Sequence, residues 1–424
     1  LNYRVGSNNL SGVATLRLDN WRPLKSMTLD LAPSLRATRI TSQGTAGHTV
    51  RVARFRQSGG KLHITFAQEI PVDYEFSLVI RYSGTPRPIR SPWGEIGWEE
   101  LENGALVASQ PNGAPSWFPC DDTPDEKARY EIVVTTDNPY VVAVNGTLLS
   151  KRSAGSRTTW HYQVGHPMAT YLATVQIGEY TQLLLSEPQG IPVRGWVPAG
   201  LRESAREEFA DQARMLSLYA ELFGPYPFNS YSVIVTEDAL EIPLEAQGLS
   251  IFGENHVRGD RAWERLIAHE LSHQWFGNSL GVAQWNDIWL NEGFACYAEW
   301  LWFEHSAGRS ADDSAHEHYE ELLRKPQNLL LSDPGTRDMF DDRVYKRGAL
   351  TVHALRVLLG DVPFFRMIRR YVAAGAHSVV EPIDLKREVL AEAAELGIPE
   401  QEVKDLWRAW LHQLELPAFP EPRR

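Results

Sequence analysis

Apolar and polar positions alternate along much of the first 200 residues. The segments at 48–55 and 61–68 alternate on either side of the Ser-Gly-Gly sequence at 58–60, which favours the tight turn of a β-hairpin. β-Branched and aromatic residues, with Gly, Pro and Asn at the breaks, continue the pattern at 75–84, 130–149, 158–164 and 171–180. The pattern therefore predicts a large, mostly antiparallel β domain over residues 1–198.

Apolar positions recur at helical spacing after residue 198. Residues 203–224 follow this spacing and end at Gly224, because glycine commonly follows the last turn of a helix. Residues 230–238 have the composition of a strand, and nearly all of the chain from Asp260 onward has helical spacing. We therefore predict an α+β protein of two domains, with a mostly helical second domain over residues 199–424.

Composition narrows the class of protein. A chain of 424 residues is too long for one hydrophobic core, and 43% hydrophobic with 23% charged residues is typical of soluble globular proteins. No apolar run approaches the ~20 residues that a membrane-spanning helix needs, so we expect no membrane span. The net charge of −12, with no basic stripe to offset it, argues against a nucleic-acid partner.

The two cysteines, Cys120 and Cys296, are too few for a disulfide framework or a cysteine-rich zinc site. Any bound metal is therefore expected to have histidine and carboxylate ligands. No secretory signal is visible, and we expect a cytoplasmic monomer. The chain begins with Leu1 and not with methionine, so a processed and exported form is also compatible with the sequence.

The segment HELSHQWFGN, residues 269–278, places His269 and His273 one helical turn apart. If residues 261–278 form one helix, both imidazoles lie on the same face and can bind one metal ion. Glu270 is rotated by about 100° from His269 along such a helix, so it would flank a metal-bound water instead of binding the metal. This arrangement predicts a zinc ion and a general base, Glu270.

An HExxH sequence also arises by chance, and the two histidines could be an inert helical pair. A third ligand distinguishes these alternatives. Glu292 lies 19 residues after His273 within a second predicted helix, residues 286–308. A short loop between antiparallel helices would return Glu292 to the histidines, whereas an unpaired carboxylate in this apolar segment would be costly. Glu299, two turns further along, is predicted to accept the free N–H of a ligating histidine.

The two segments HELSHQWFGN and WNDIWLNEGFACYAE, residues 269–278 and 285–299, together resemble the aminopeptidase N family of zinc metallopeptidases, the gluzincin aminopeptidases. The resemblance implies a saddle-like β domain followed by a thermolysin-like catalytic domain, and one Zn²⁺ per chain. It implies that His269, His273 and Glu292 are the zinc ligands and that Glu270 is the general base. The segments at 109–130 and 168–180 also look like segments of that family's β domain.

Three further residues take expected roles from the resemblance. Tyr345, in the segment VYKRGALTVHALR at 344–356, matches a tyrosine whose hydroxyl stabilises the oxyanion of the tetrahedral intermediate. Glu245, in IPLEAQG at 242–248, matches the glutamate that binds the free α-amine of the substrate. Gln110 aligns with a second amine contact, for which Asn112 is an alternative.

The segment around Glu245 departs from the family pattern, which reads like GAMEN. Ile242, Leu244 and Ala246 replace the glycine, methionine and asparagine. The amine anchor is kept, but the rim of the first specificity pocket differs. Glu245 could instead be an exposed glutamate at the edge of a sheet.

The resemblance implies a metalloaminopeptidase that acts on peptides with a free N-terminus. The chain ends about 80 residues after Tyr345, so it is expected to be a short two-domain form without the C-terminal helical domain of many relatives. Two alternatives from other classes stay open. One is a zinc endopeptidase of related fold, and the other is a non-catalytic scaffold that binds a partner.

Overall fold

A computed structural model describes residues 1–44 and 50–422 of the chain. Residues 48 and 49 of the predicted hairpin lie outside the described residues. The chain divides into two units, of which the first comprises Leu1–Gly165 with Thr170–Tyr180, and the second His166–Ala169 with Thr181–Arg424. The protein is therefore an α+β chain with a β-rich first unit and a mostly helical second unit.

The first unit is formed mainly by β-strands. They are β1 (Asn2–Arg4), β2 (Asn9–Asn20), β3 (Leu24–Asp30), β4 (Leu35–Gly44), β5 (Val52–Ser58), β6 (Lys61–Ile70), β7 (Tyr74–Gly84), β8 (Ile89–Ser91), β9 (Gly94–Leu101), β10 (Gly104–Ala108), β11 (Lys127–Asp137), β12 (Val141–Val144), β13 (Thr147–Ala154), β14 (Arg157–Ala169) and β15 (Val175–Gly178). The last four residues of β14, His166–Ala169, belong to the second unit. The largest sheet has the order β13-β14-β11-β1-β2-β7-β4, and smaller sheets have the orders β12-β15-β10-β9-β8 and β3-β6-β5.

Period-two alternation explains why these segments form strands with one buried face. In β7, the side chains of Phe76, Leu78, Ile80 and Tyr82 are buried, whereas residues between them face the other side of the sheet. The predicted hairpin is present as β5 and β6, which pair Ser58 with Lys61 in antiparallel register.

The second unit contains a small mixed sheet and a set of packed helices. Its strands are β16 (Tyr180–Ser186), β17 (Val193–Pro198), β18 (Tyr231–Val235), β19 (Leu244–Ala246), β20 (Leu249–Phe252), β21 (Gly281–Val282) and β22 (Val379–Val380). Its helices are α1 (Arg202–Glu208), α2 (Gln212–Phe223), α3 (Glu264–Ser272), α4 (Trp289–Ala307), α5 (Ala311–Leu323), α6 (Asp342–Leu359), α7 (Asp361–Gly375), α8 (Pro382–Glu395) and α9 (Glu400–Leu411).

The sheet order β16-β17-β18-β20-β19 explains where the two units divide. The sequence places the domain boundary at residue 198, whereas the division in the structure falls after Tyr180. Strands β16 and β17 belong to the sheet of the second unit, and β17 pairs in parallel with β18. Strand character alone therefore does not assign these residues to the β-rich unit.

Helix α4 is the centre of the helical region, because every side chain from Trp289 to Trp302 is buried. It ends at Gly308, which has a left-handed φ of 69°, as the predicted helix at 286–308 requires. Gly293 of α4 faces Gly348 of α6, and a Cβ on Gly293 would lie 2.8 Å from the Cα of Gly348. Since only glycines permit this approach, the backbones of α4 and α6 lie unusually close together.

Two predicted helices differ from the structure. The helix predicted at 203–224 is divided into α1 and α2 by a turn at 209–211, where Phe209 is buried against Phe252 at a ring distance of 5.1 Å. The helix predicted at 261–278 ends at Ser272. After it, the amides of Asn278 and Ser279 bond to carbonyls five residues earlier, at distances of 3.0 and 3.1 Å. Local periodicity does not encode either change.

None of the helices within residues 1–44 and 50–422 combines the length and the apolar character needed to cross a bilayer.

Candidate metal centre and active site

Three side chains from two helical segments converge in the second unit. His269 lies on α3, His273 follows directly at its C-terminal end, and Glu292 lies in the first turn of α4. One ligand atom from each lies within 4.8 Å of the other two. The Nε2 atoms of His269 and His273 are 3.3 and 3.5 Å from Oε2 of Glu292. This is the residue set that the spacing of the sequence predicts for a metal ion.

The second nitrogen of each imidazole has a hydrogen-bond acceptor. Nδ1 of His269 is 2.7 Å from Oε1 of Glu299, and Nδ1 of His273 is 3.0 Å from the carbonyl oxygen of Phe276. In the neutral imidazoles these acceptors favour a proton on Nδ1, which leaves the lone pair of each Nε2 directed towards Glu292. Three electron-pair donors then face one point, and a cation at that point would satisfy all three.

The charge at the site also favours a cation. Burial opposes protonation of His269, but the carboxylates of Glu292 and Glu299 outweigh it and raise the pKa of His269 to about 9. At His273, burial is outweighed in the same way by Glu292 and Glu245, and its pKa rises to about 10. Burial would raise the pKa of Glu292, but the two imidazoles lower it to about 2. Without a metal the histidines carry the positive charge; a divalent ion can supply it instead.

Glu270 lies beside this set and is not one of the three converging ligands. Its side chain is 5% exposed, and within residues 1–44 and 50–422 its Oε2 atom has no hydrogen-bond partner. Burial raises its pKa, although the imidazoles of His269 and His273 oppose the shift. An unpartnered buried carboxylate oxygen is costly, which is consistent with a site that a water or a substrate group completes.

Glu245 projects from the edge strand β19, and its carboxylate lies close to Glu270 and His273. Ligand atoms of these three residues lie within 4.8 Å of one another. Burial raises the pKa of Glu245 to about 7, opposed by His273 and assisted by Glu292. Glu245 is half-buried and therefore is not the fully exposed strand-edge glutamate of the alternative interpretation.

Tyr345 lies on α6, and its ring stacks on that of His269 with centroids 6.1 Å apart and an interplanar angle of 21°. The close contact of Gly293 with Gly348 explains this position, because it draws α6 onto the helix that carries Glu292. Burial and the neighbouring carboxylates raise the pKa of Tyr345 well above its ordinary value. Its hydroxyl is therefore protonated at neutral pH and can donate a hydrogen bond.

Gln110 is the one predicted site residue that belongs to the first unit. It follows β10 after one intervening residue and is half-buried, whereas Asn112 is exposed. The roles of Gln110 and Asn112 stay predictions.

Sequence reasoning missed three polar side chains at the site. Arg265, one turn before His269 on α3, donates from Nη1 to both oxygens of Glu299 at 3.1 Å each. Gln274 and Asn278 bond to the backbone of the hairpin that carries Glu245. The sequence could have indicated two of them, because Gln274 and Asn278 lie inside the HELSHQWFGN segment. Their partners lie 26 to 34 residues away in the chain, which no local pattern indicates.

Two family models match most of the chain. The model described as the Peptidase family M1 domain matches residues 207–410, and the Peptidase M1 N-terminal domain matches residues 4–172.

Curated relatives match the chain over most of its length but are longer. Aminopeptidase M1-D of Oryza sativa subsp. japonica is 26% identical over 96% of this chain and 48% of its own length. Aminopeptidase B of Mus musculus is 27% identical over 87% of this chain and 60% of its own length. The chain thus spans about half the length of the curated relatives it matches.

Solved structures match both units together. A two-domain M1 zinc metallopeptidase mutant bound to L-arginine is 29% identical, with a TM-score of 0.86 over 100% of this chain and 94% of that one. An M1 zinc metallopeptidase mutant from Deinococcus radiodurans, bound to a Tyr-Ser-Ala substrate, is also 29% identical with a TM-score of 0.86. It covers 98% of this chain and 92% of its own.

Proposed function

The chain belongs to peptidase family M1, and on that basis we propose that it is a zinc-dependent aminopeptidase that releases the N-terminal residue of peptides. One observation carries the proposal: the ligand atoms of His269, His273 and Glu292 converge beside two further carboxylates, those of Glu270 and Glu245. The first three can hold a metal ion, and the other two can move a proton and bind an ammonium group.

His269, His273 and Glu292 would hold one zinc ion, because two imidazoles and one carboxylate are a common ligand set of catalytic zinc. When bound, zinc lowers the pKa of a water molecule and polarises a carbonyl group. Glu299 would keep the proton of His269 on Nδ1 and thus leave Nε2 available to the ion.

Glu270 acts as the general base in the proposed reaction. Its unpartnered Oε2 accepts a proton from the attacking water and later transfers it to the nitrogen of the leaving peptide. The Tyr345 hydroxyl, protonated because of its raised pKa, donates a hydrogen bond to the developing oxyanion. The carboxylate and the hydroxyl thus act on different atoms of the scissile group.

Glu245 selects peptides with a free N-terminus. Its carboxylate accepts a charge-assisted hydrogen bond from the substrate ammonium, and this contact places the first peptide bond at the site. Gln110 is proposed as a second amine contact. The substrate-bound and amino-acid-bound relatives support this class of ligand. We further propose that the protein acts as a monomer on free peptides in the cytoplasm.

The assigned base is tested by Glu270→Gln. The variant should retain about one zinc per chain, and its kcat on an aminoacyl-anilide should fall by about 10²- to 10⁴-fold, the usual contribution of general acid–base catalysis. Metal analysis and steady-state kinetics measure both quantities. Glu320→Gln, at an exposed position of α5, is the matched control and should behave as the unmodified protein. Full activity in Glu270→Gln would refute the assignment.

Two competing functions are distinguished by substrate and by metal. A zinc endopeptidase would cleave N-acetylated peptides as fast as free ones, whereas the proposed enzyme should cleave them far more slowly. A non-catalytic scaffold would be purified without zinc and would hydrolyse neither substrate. The half-buried carboxylate of Glu245 beside Glu270 favours the aminopeptidase over both.

A further inference from the structure

The hairpin that carries Glu245 is short and lies at the edge of its sheet. Strand β19 has three residues and pairs with β20, joined by a turn at Gln247 and Gly248. Gly248 has a φ of 77°, which glycine adopts without strain. A three-residue edge strand gains little from its own ladder, so contacts outside the sheet decide where Glu245 lies.

Two buried amide side chains after α3 bind the end of this hairpin. Oε1 of Gln274 accepts from the amide of Gly248 at 2.8 Å, and its Nε2 donates to the carbonyl of Ala246 at 3.1 Å. Nδ2 of Asn278 donates to the same carbonyl at 2.9 Å. Both side chains are 0% exposed. Gln274 thus pairs with the hairpin through a donor and an acceptor, as a neighbouring strand would.

The chain after α3 is shaped to bring the two amides together. Gly277 has a φ of 117°, and a Cβ there would lie 3.4 Å from Nδ1 of His273 and 3.3 Å from Asn291. The amide of Asn278 bonds to the carbonyl of His273 at 3.0 Å. The turn therefore holds Asn278 beside Gln274, which itself directly follows the candidate ligand His273.

We propose that Gln274 and Asn278 are positioning residues that set the distance between the Glu245 carboxylate and the imidazoles of His269 and His273. That distance decides where the substrate ammonium lies relative to the scissile carbonyl. The inference rests on the proposed function, because it assigns the two amides to recognition of the substrate amine. A charge-assisted hydrogen bond depends steeply on distance, so a small shift of the hairpin should weaken it.

The test uses two inhibitors that differ only in the amine: L-leucine hydroxamate and its des-amino analogue, 4-methylpentanohydroxamic acid. The ratio of their inhibition constants, the amine factor, should be about 10 to 100 in the unmodified protein, the strength of a hydrogen bond to a charged group. Glu245→Ala should reduce the amine factor to the small residual value that the second amine contact proposed for Gln110 supplies, and this value defines its lower limit.

Gln274→Leu should reduce the amine factor at least fivefold while leaving the inhibition constant of the des-amino compound within about twofold, with zinc per chain unchanged. Gln274→Glu keeps the shape but cannot donate to Ala246, and it should act in the same direction, so the test survives if the leucine variant misfolds. Gln401→Leu, at an exposed position of α9, is the matched control with an unchanged factor.

Gln274→Leu added to Glu245→Ala should have no further effect on the amine factor, because both act on one contact. An unchanged factor in both Gln274 variants would overturn the inference, and so would equal weakening of both inhibitors, which indicates a purely structural role. An amine factor of about 1 in the unmodified protein is a different failure, since it would refute amine recognition by the proposed enzyme.

Discussion

The proposed metal-facing side of the site consists of helical residues, whereas the proposed amine-facing side consists of a short β-hairpin. His269, His273 and Glu292 lie on or beside buried helices, and each imidazole has a hydrogen-bond partner of its own. Glu245 lies on a three-residue edge strand that two amide side chains hold from outside the sheet. In the proposed enzyme, metal binding would therefore rest on extensive helix packing, whereas substrate selection would rest on a few hydrogen bonds and could change more easily.

Removal of the metal should have the largest effect on activity, because the metal-facing side then lacks the ion that polarises the substrate carbonyl. A chelator should abolish hydrolysis of an aminoacyl-anilide, and added zinc should restore it. At pH 7 the metal-free imidazoles are protonated, with pKa values of about 9 and about 10. Zinc requires neutral imidazoles, so rebinding should release about two protons per chain.

The proton release has a defined pH dependence. As pH rises through 9 and 10, the metal-free histidines lose their protons before zinc binds, so the part of the release that comes from the histidines should fall towards zero. Calorimetry in buffers of different ionisation enthalpy measures the number. A release near zero at pH 7 would contradict the paired charges described for the metal-free site.

Glu299→Ala should weaken zinc binding by about 10- to 100-fold, the usual cost of removing a hydrogen-bond partner of a ligating histidine. The amine factor should stay unchanged, because Glu299 contacts the helical side only. Competition with a fluorescent zinc chelator measures the affinity. A lower amine factor in this variant would show that the metal-facing and amine-facing sides are not independent of each other.

Glu245→Gln should have the opposite effect to Glu299→Ala: it should weaken binding of the substrate amine and leave zinc binding nearly unchanged. Loss of the carboxylate charge should raise KM for free-amine substrates about tenfold, because a hydrogen bond to a charged group is lost. Zinc affinity should change by less than about twofold. A large loss of zinc would show that Glu245 belongs to the metal-facing side, in conflict with its position on β19.

Arg265→Ala should have the smallest effect. Its guanidinium donates to both oxygens of the buried Glu299, but Arg265 itself is 52% exposed, so water can take its place, and Glu299 keeps its hydrogen bond to His269. Zinc affinity should fall by about threefold or less. A loss as large as that of Glu299→Ala would show that the helical side depends on a surface contact.

The sequence indicated the arrangement of the metal-facing side better than that of the amine-facing side, for a physical reason. The three candidate ligands could be named because helical spacing places His269 and His273 on one face and puts Glu292 in the next helix. The fold class and the glycine end of α4 also follow from periodic patterns of apolar residues.

What could not be predicted depends on contacts between distant segments. The turn at 209–211 is stabilised by Glu208, whose buried carboxylate accepts from the amides of Gly259 and Trp263 at 3.0 and 3.2 Å. The bonds of Gln274 and Asn278 to Ala246 likewise join residues 28 and 32 positions apart. Such contacts appear only once the tertiary structure exists.

The contact between Gly293 and Gly348 limits which substitutions helices α4 and α6 could accept. Since the two backbones touch, a larger residue at either position would push helices α4 and α6 apart and would move Tyr345 away from the candidate ligand Glu292. Neither position can therefore accept a larger side chain without moving these two residues apart. The loop before β19, by contrast, exposes Ile242 and carries none of the three candidate metal ligands, so substitutions there need not displace them.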